Sequence, residues 1–370
     1  PIGAHAPMGN RRENNLVMKK MLVYPFNRDF LPVCACADQL IGYEISALVS
    51  PAGFGCGGKI VPCGSKMIAV SERIEEHLAE CDVVFLAECW FPVDFDTVLL
   101  PELQQAVRLG KQILLTENSY REYERSLSEH GLLEAASLLC GPQWRDCEPI
   151  VLPLEVPVVY VVGTMQNTGK FQTAMGIKQM LEARGYKISL VGSRCESTLF
   201  RDTPFPAYMT DRYYTEAQRI YSFNRLMKNI ELEERPDLIL VAVPGAVLPS
   251  GHKHIEDFGL TATLVQLAAP PDAVVCCSLC PIGEKSLSYY RVIERDVDRK
   301  MGVPITAHFS SPYIIDFLSL ESGGKQQFLS VNQEFLTERI SQSGKTDLFP
   351  VGSPAGLSSA SESIIRVLGG

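Results

Sequence analysis

The sequence predicts an α/β fold made of two doubly wound parallel-sheet domains, and three observations support this prediction. Short apolar runs alternate with amphipathic stretches of helical length over most of the chain. At 370 residues, the chain is longer than a typical domain of ~100 to 200 residues. One proline-rich stretch, residues 141–157, interrupts the alternation. We therefore expect an N-terminal domain over residues 18–140, a linker over 141–157 and a larger C-terminal domain over 158–370.

The N-terminal domain is predicted to be a small Rossmann-like layer. Strands are expected at the apolar runs over residues 21–24, 43–49, 83–87 and 112–116. Helices are expected over residues 71–80, 95–109 and 119–139. Ser71 can cap the first of these helices, in which Ile74 and Leu78 lie four residues apart.

The C-terminal domain repeats the alternation on a larger scale. Its strands are expected over residues 158–162, 187–191, 238–243, 273–278 and 304–308. Its helices are expected over residues 169–184, 211–233, 255–268 and 285–301. The pattern is ambiguous after residue 323, where we expect a loosely packed end with one helix over residues 361–367.

Composition and charge exclude several classes of protein. The net charge is −9 and there is no dense basic run, so nucleic acid and anionic membrane are not expected partners. The longest apolar stretch, residues 238–248, is too short to span a membrane. Residues 1–15 lack the apolar run of a secretory signal. Twelve cysteines dispersed over the chain favour reduced thiols, so we expect a cytoplasmic protein.

The segment from residue 163 to residue 173 carries the strongest functional signal. A β-branched strand leads into a polar loop and an amphipathic helix follows, which is the setting of a phosphate-binding loop. There the backbone N–H groups and the helix N-terminus attract an anion, and Lys170 reaches the outer phosphates. The alternative is a structural turn with an accidental Gly-Lys pair. The expected nucleotide-binding residues of this segment are Gly163, Thr164, Gln166, Asn167, Thr168, Gly169, Lys170, Phe171, Gln172 and Thr173.

The spacing of this loop resembles the G-T-x-x-x-x-G-K-T loop of the dethiobiotin-synthetase-like branch of P-loop proteins. The resemblance implies a P-loop NTPase-like C-terminal domain and ATP or another nucleoside triphosphate as cofactor. Phe171 stands where that family has the hydroxyl that binds Mg²⁺, and a phenyl ring cannot ligate magnesium. Thr173 lies about 200° around a helix from Phe171 and is a poor substitute. Whether Mg²⁺ and hydrolysis accompany binding is therefore left open.

The apolar strand over residues 238–243 is the expected second element of the site. In the synthetase-like family an acidic residue near the end of this strand helps to hold the metal, but Ala242 and Val243 occupy those positions here. Asp237 precedes the strand and is expected at the opposite edge of the sheet. Pro244 and Gly245 form either a switch-type turn that faces the phosphates or a plain turn. These replacements predict binding without rapid turnover, or metal ligands from elsewhere in the chain.

Two further pairs of residues are candidate catalytic groups. Arg194 and Glu196 follow the second strand of the domain, at the edge where open α/β sheets bind ligands. Arg194 is suited to neutralise a phosphate oxygen, and Glu196 to hold a metal or act as a base. His252 and His254 are considered for zinc binding or proton transfer. The alternatives are a solvated loop for the first pair and a solvated, helix-capping turn for the second.

Three other motifs are assigned no chemistry. Cys277 and Cys280 have CxxC spacing, but no second CxxC completes a set, so no metal site is expected. Residues 344–346 read Gly-Lys-Thr without a preceding strand. The glycine-rich residues 51–59 follow a strand, yet no helix opens on them, so we expect an interdomain or ligand-facing loop there.

The pairing of a Rossmann-like half with a P-loop half resembles the two-domain DUF1611-type proteins. Four segments resemble more closely a clostridial family of peptide maturation system proteins, which is found beside genes for ribosomally made, modified peptides and radical-SAM enzymes. Those segments are residues 21–26, residues 48–51 with the glycine-rich loop after them, residues 163–170 and residues 241–245. The resemblance implies an accessory role in peptide maturation and defines no reaction.

The leading hypothesis is an NTP-binding accessory protein of peptide maturation, for which hydrolysis is left open. One enzyme interpretation is ATP-dependent activation of a peptide or carboxylate in the cleft between the domains. The alternative is a non-hydrolysing nucleotide- or anion-binding scaffold that organises partner modification enzymes. Expected partners are a nucleotide, a precursor peptide and modification enzymes. A homodimer is expected because related P-loop proteins often place their sites at a dimer interface. The base of the nucleotide is left open, although the lack of an N-K-x-D motif after a strand disfavours GTP.

Overall fold

The computed structural model describes residues 18–89, 91–249, 258–282, 287–316 and 328–369, and it confirms the α/β fold class with two doubly wound sheets. The strands are β1 (Lys19–Tyr24), β2 (Tyr43–Val49), β3 (Ile60–Cys63), β4 (Lys66–Ser71), β5 (Val83–Leu86), β6 (Gln112–Thr116), β7 (Ala136–Leu139), β8 (Val158–Gly163), β9 (Ile188–Gly192), β10 (Thr203–Pro204), β11 (Leu238–Ala242), β12 (Ala273–Ser278), β13 (Ile305–Ser310), β14 (Tyr313–Ile315), β15 (Phe328–Ser330) and β16 (Leu348–Pro350). The helices are α1 (Leu31–Ala35), α2 (Leu100–Arg108), α3 (Glu117–Glu129), α4 (Lys170–Glu182), α5 (Glu216–Glu234), α6 (Leu260–Ala268), α7 (Leu287–Met301), α8 (Gln333–Gln342) and α9 (Pro354–Gly369). No helix of the described residues is long and apolar enough to cross a membrane.

The N-terminal sheet has the strand order β3-β4-β2-β1-β5-β6-β7. Neighbouring strands run parallel except in the hairpin of β3 and β4. The strand β5 consists of four consecutive buried apolar residues, as expected for a parallel strand that is covered on both faces. The order changes direction between β1 and β5, and such a point opens a crevice for ligands at the carboxyl edge of the sheet.

The C-terminal sheet has the strand order β10-β9-β11-β8-β12-β13-β16, and every neighbouring pair is parallel. All six residues of β8 are buried, in keeping with its central place. The helix α9 packs against α4 and buries Ala360 and Ile364. The end of the chain is therefore part of this layer, and the prediction of a loosely packed end is wrong.

Two helix predictions for the N-terminal half are also wrong. Residues 71–80 form the end of β4 and two 3₁₀ turns, Ile74–Glu76 and Leu78–Glu80. Ile74 and Leu78 are both buried. Their four-residue spacing therefore reflects the burial of both side chains and does not require a continuous helix. The helix α3 ends at Glu129, before Gly131 with its left-handed φ of 68°, and residues 136–139 form β7 instead.

The proline-rich residues 140–157 have no regular secondary structure but are fixed along α5. Asn224 Oδ1 accepts from the Leu152 N–H at 2.8 Å, and Asn224 Nδ2 donates to the Leu152 carbonyl at 2.9 Å. Glu231 Oε1 accepts from the Val156 N–H at 2.8 Å. These side chains satisfy backbone groups that no helix or sheet pairs. The segment thus follows a defined path, while the division into domains 18–140 and 158–370 stays a prediction.

The two halves pack so that the carboxyl ends of their strands face one cleft. The helix α1 contacts α4, and both contribute to a single hydrophobic cluster. The Ile41 N–H donates to the Leu199 carbonyl across this boundary at 3.0 Å. The cleft is lined by residues that follow β1 in the N-terminal sheet and by residues that follow β8, β9, β11 and β13 in the C-terminal sheet.

Candidate functional site

The loop of residues 163–169 joins the central strand β8 to α4. A Cβ atom on Gly163 would lie 2.2 Å from Thr168 Oγ1, so glycine alone fits there without displacing the loop. Asn167 and Gly169 have left-handed backbones, with φ of 55° and 82°. Thr168 Oγ1 donates to the Met165 carbonyl at 3.1 Å and closes the turn. Left-handed residues before a helix N-terminus form a concave set of N–H groups that binds anions.

Lys170 is the first residue of α4 and is only 7% exposed. Its Nζ atom donates to the carbonyls of Met165 at 2.8 Å and Gly245 at 2.9 Å, so the ammonium connects the loop to the turn after β11. A bond from the ammonium to an anion adds the attraction of opposite charges to the hydrogen bond that a neutral carbonyl accepts. The ammonium is therefore positioned to transfer from these carbonyls to an anion bound at the loop.

The residues after Lys170 offer Mg²⁺ no hydroxyl at the loop. Phe171 is buried, and the centroid of its ring lies 5.9 Å from that of Phe200. Thr173 is fully buried and its Oγ1 accepts a hydrogen bond from Cys277 Sγ at 3.6 Å. The phenyl ring thus belongs to the core, and the Thr173 hydroxyl is bonded to Cys277 and does not line the cleft.

At the end of β11, the described residues 242–249 also include no carboxylate for a metal. Ala242 and Val243 are buried at the end of β11. Asp237 lies before that strand, where its Oδ2 accepts from the Lys187 N–H at 2.7 Å. The described residues contain no group of three or more His, Cys, Asp or Glu side chains that could hold a metal ion. These residues do not fit the Mg²⁺ that the P-loop resemblance implies.

A cleft of about 550 Å³ opens over the loop, within the ~300 to 1,000 Å³ of small-molecule sites. It brings together most of the residues that the sequence suggests for nucleotide binding: Gln166, Asn167, Thr168, Gly169, Lys170, Phe171, Gln172, Pro244 and Gly245. Gly163, Thr164 and Thr173 are not among its lining residues. Thr164 instead fixes the start of the loop to β12, because its N–H donates to the Cys277 carbonyl at 2.9 Å. The assignment of these residues to nucleotide binding stays a prediction.

Arg194 and Glu196 form an ion pair at the side of the cleft. Arg194 Nη2 donates to Glu196 Oε1 at 2.7 Å, and Arg194 Nε donates to Oε2 at 3.3 Å. Burial disfavours the Arg194 charge, but the adjacent Glu196 carboxylate outweighs burial and raises the pKa of Arg194. Because both oxygens of Glu196 accept from Arg194, this carboxylate holds the guanidinium in place and is not poised as a free base or metal ligand.

Glu88, which follows β5 in the N-terminal half, lies within electrostatic range of this pair. Burial, and then the negative charge of Glu196, raises the pKa of Glu88. Hydrogen bonds from Thr116 Oγ1 and Asn118 Nδ2 and the charge of Arg194 act in the opposite direction. Glu88 of the N-terminal half therefore lies close to the charges of Glu196 and Arg194 of the C-terminal half.

Residues of the N-terminal half that sequence reasoning missed line the cleft opposite the loop. Arg28 and Asp29 follow β1, and Leu31, Pro32 and Pro62 extend this wall. The C-terminal half adds Ser311 and Tyr313 after β13. The signal that was available is the position of Arg28 and Asp29 at the carboxyl end of the first strand, next to the point where the strand order changes direction.

The remaining candidates do not join the cleft. His252 and His254 lie outside the described residues and stay a prediction. Cys277 and Cys280 are buried free thiols, as is typical of core cysteines. Lys345, in the Gly-Lys-Thr sequence, forms ion pairs with Glu294 and Asp347.

The fold and the cleft define the class of protein: a two-sheet α/β chain with a phosphate-loop-like segment where the halves meet. A DUF1611 family protein from Anabaena variabilis shares this fold over 94% of this chain and 99% of its own, with a TM-score of 0.62 and 12% identity. The fold expected from the DUF1611-type resemblance is thereby confirmed. Two other solved structures are weaker likenesses. MinD of Aquifex aeolicus has a TM-score of 0.33 and 13% identity, and the match covers 58% of this chain and 98% of that one. Cobyrinic acid a,c-diamide synthase of Mycobacterium smegmatis, with bound ADP and magnesium, has a TM-score of 0.33 and 14% identity, and the match covers 57% of this chain and 94% of that one. No protein-family model and no curated protein matches the chain.

Proposed function

We propose that this chain binds a nucleoside triphosphate at residues 163–173. One observation carries the proposal: the loop between β8 and α4 has a left-handed Gly169 before the helix and the Lys170 ammonium at its mouth, and both line a cleft of nucleotide size. Backbone N–H groups and the dipole of α4 supply the attraction for phosphate. The net charge of −9 makes this local attraction essential, because the molecule as a whole repels anions.

The proposed biological role is accessory to the maturation of a ribosomally made peptide. The sequence resemblance to the clostridial peptide maturation family supports this role. In this form of the proposal the chain is cytoplasmic and activates a peptide or carboxylate with ATP. Precursor peptide, modification enzymes and a second copy of the chain are its proposed partners.

A second candidate function is a scaffold that holds nucleotide or another anion without hydrolysing it. The buried Phe171 at the position of the magnesium-binding hydroxyl favours this candidate, since rapid hydrolysis depends on a metal that the described residues do not hold. The two candidates differ in one readout. Release of phosphate from ATP that a precursor peptide stimulates supports the enzyme, and tight binding without release supports the scaffold.

Calorimetric titration with ATP and GTP, with and without Mg²⁺, tests the binding site. Lys170→Ala should weaken binding by about 10- to 100-fold, the size of a lost hydrogen bond to a charged group. Lys59→Ala is the matched control, because Lys59 is an exposed lysine in the other glycine-rich loop and does not line the cleft. It should bind as the wild type does.

The proposal fails in either of two outcomes. If the wild-type protein binds no nucleotide, the nucleotide-binding form of both candidate functions is contradicted. Nucleotide binding that Lys170→Ala leaves unchanged shows that the nucleotide site lies elsewhere in the chain.

A further inference from the structure

Lys170 alone does not balance the several negative charges of a triphosphate bound in the cleft. In P-loop proteins Mg²⁺ bridges the outer phosphates and neutralises their charge. Here Phe171 and Ala242 occupy positions where a hydroxyl and a carboxylate would hold that ion, and both are buried apolar side chains. A bound triphosphate therefore needs another cation besides Lys170.

Arg194 is a poor candidate for that cation. Its guanidinium already donates to both oxygens of Glu196, at 2.7 and 3.3 Å. The side chain of Glu196 is only 2% exposed, so withdrawing Arg194 would leave a buried carboxylate without its partner. Leaving a buried carboxylate unpaired is strongly unfavourable, so the Arg194–Glu196 pair is expected to stay closed.

Arg28 is a guanidinium that enters the cleft from the other half. It is exposed and lines the cleft, and its side chain forms no hydrogen bond or ion pair with the described residues. It begins the 3₁₀ turn Arg28–Phe30 directly after β1. Five donors in a planar fork make a guanidinium well suited to phosphate.

The backbone that carries Arg28 is held in place by a buried amide. Asn27 is 3% exposed, and its Oδ1 accepts from the Asp29 N–H at 2.9 Å. Its Nδ2 donates to the Glu88 carbonyl at 2.9 Å, beyond the end of the neighbouring strand β5. The turn is thus tied to the rigid carboxyl edge of the N-terminal sheet, so that only the Arg28 side chain remains to be ordered by a ligand.

The charge of Arg28 reaches across the cleft to the C-terminal half. Tyr313 follows β13 in that half and lines the cleft. Burial and the negative charge of Asp29 raise the pKa of Tyr313, whereas the positive charges of Arg28 and Arg194 lower it. Arg28 therefore lies within electrostatic range of a residue on the opposite wall.

We propose that Arg28 supplies, together with Lys170, the positive charge that binds the outer phosphates of the nucleotide in place of Mg²⁺. This inference rests on the proposed function, because it takes the loop of residues 163–169 as the phosphate site. Binding then does not require a divalent cation, and the phosphates connect the N-terminal half to the C-terminal half. In this proposal the protein is a scaffold whose two halves are joined by the bound nucleotide.

The test is titration with ATP and with AMP, in MgCl₂ and in EDTA, of wild-type protein and of the Arg28→Ala, Lys170→Ala and Arg108→Ala variants. Arg28→Ala should weaken ATP binding by about 10- to 100-fold in both buffers, and AMP binding far less, because AMP lacks the outer phosphates. Arg108→Ala is the matched control: Arg108 is an exposed arginine at the end of α2 that does not line the cleft. Wild-type affinity for ATP should differ by less than about threefold between the buffers.

Each contrary outcome has a distinct meaning. If Lys170→Ala weakens ATP binding and Arg28→Ala does not, the loop is a phosphate site and Arg28 plays no part in it. If EDTA abolishes wild-type binding, a divalent cation neutralises the phosphates and the inference is overturned. Wild-type protein that binds no nucleotide in either buffer overturns the proposed function and this inference together. Equal unfolding temperatures of wild type and Arg28→Ala exclude a folding defect.

Discussion

The two glycine-rich loops of this chain look alike in sequence but differ in what their glycines do. In the loop of residues 51–59, Gly55 has a left-handed φ of 69°, and a Cβ added there would meet nothing within 4 Å. In the loop of residues 163–169, Gly163 has no such φ, but its Cβ would lie 2.2 Å from Thr168 Oγ1 and 2.9 Å from Lys170 Nζ. The first glycine serves a turn in open space, and the second makes room for a packed loop.

The difference shows what marks an anion site in a structure. A glycine required by its dihedral angles reports only that the chain turns there. A glycine required by the close approach of a lysine and a threonine, at the end of a central strand and before a helix, reports that polar groups converge. Matched glycine-to-alanine substitutions in the two loops therefore distinguish a turn from an anion site.

The largest effect is expected for Gly163→Ala. The added methyl group would displace Thr168 and Lys170, and such overpacking costs about 1 to 3 kcal/mol of unfolding free energy. Because the displaced groups belong to the proposed phosphate site, ATP affinity should fall by about 100-fold or more. Thermal unfolding and calorimetric titration measure the two effects. Full affinity in this variant would show that the packed loop is not the binding site.

A smaller effect, on stability alone, is expected for Gly55→Ala. A left-handed alanine costs about 1 kcal/mol, and no side chain has to move to make room for it. ATP affinity should equal that of the wild type in the same titration. A loss of affinity here would move the ligand site toward the N-terminal glycine-rich loop.

The smallest effect is expected for Glu88→Gln, and it depends on pH. The folded state raises the pKa of Glu88 above its ordinary value of 4.5. A carboxyl of this kind binds its proton more tightly when folded, so its contribution to stability is lost as the pH rises from 4.5 through the raised pKa. As the pH rises above 4.5, the unfolding temperature should therefore decline less in Glu88→Gln than in the wild type. Identical pH profiles would show that Glu88 is not destabilised by burial and by Glu196.

The sequence predicted the central strands of both sheets, because each is a short apolar run buried on both faces. It did not predict the hairpin of β3 and β4, in which Ile60 and Met67 are exposed and the alternation is weak. The two residues between these strands, Gly64 and Ser65, were the available signal for a hairpin turn. Residues 71–80 have the apolar spacing of a helix, but Ile74 and Leu78 are buried by two separate 3₁₀ turns.

The candidate site was predictable only where it is continuous along the chain. Gly163 to Thr173 form one motif, and the structure places most of that motif in one cleft. Arg28 lies more than a hundred residues earlier, and its place opposite the loop depends on the packing of α1 against α4. Local sequence patterns do not encode such long-range packing, whereas strand, loop and helix signals are local.

Amide hydrogen exchange with and without ATP tests most directly whether residues 163–173 are the phosphate site. Ordering of these backbone N–H groups by phosphate should slow exchange in peptides that cover residues 163–173, with a smaller slowing around Arg28. Peptides that cover residues 51–59 should exchange at the same rate in both conditions. Protection of residues 51–59, or bound ATP that leaves residues 163–173 unprotected, would contradict the account.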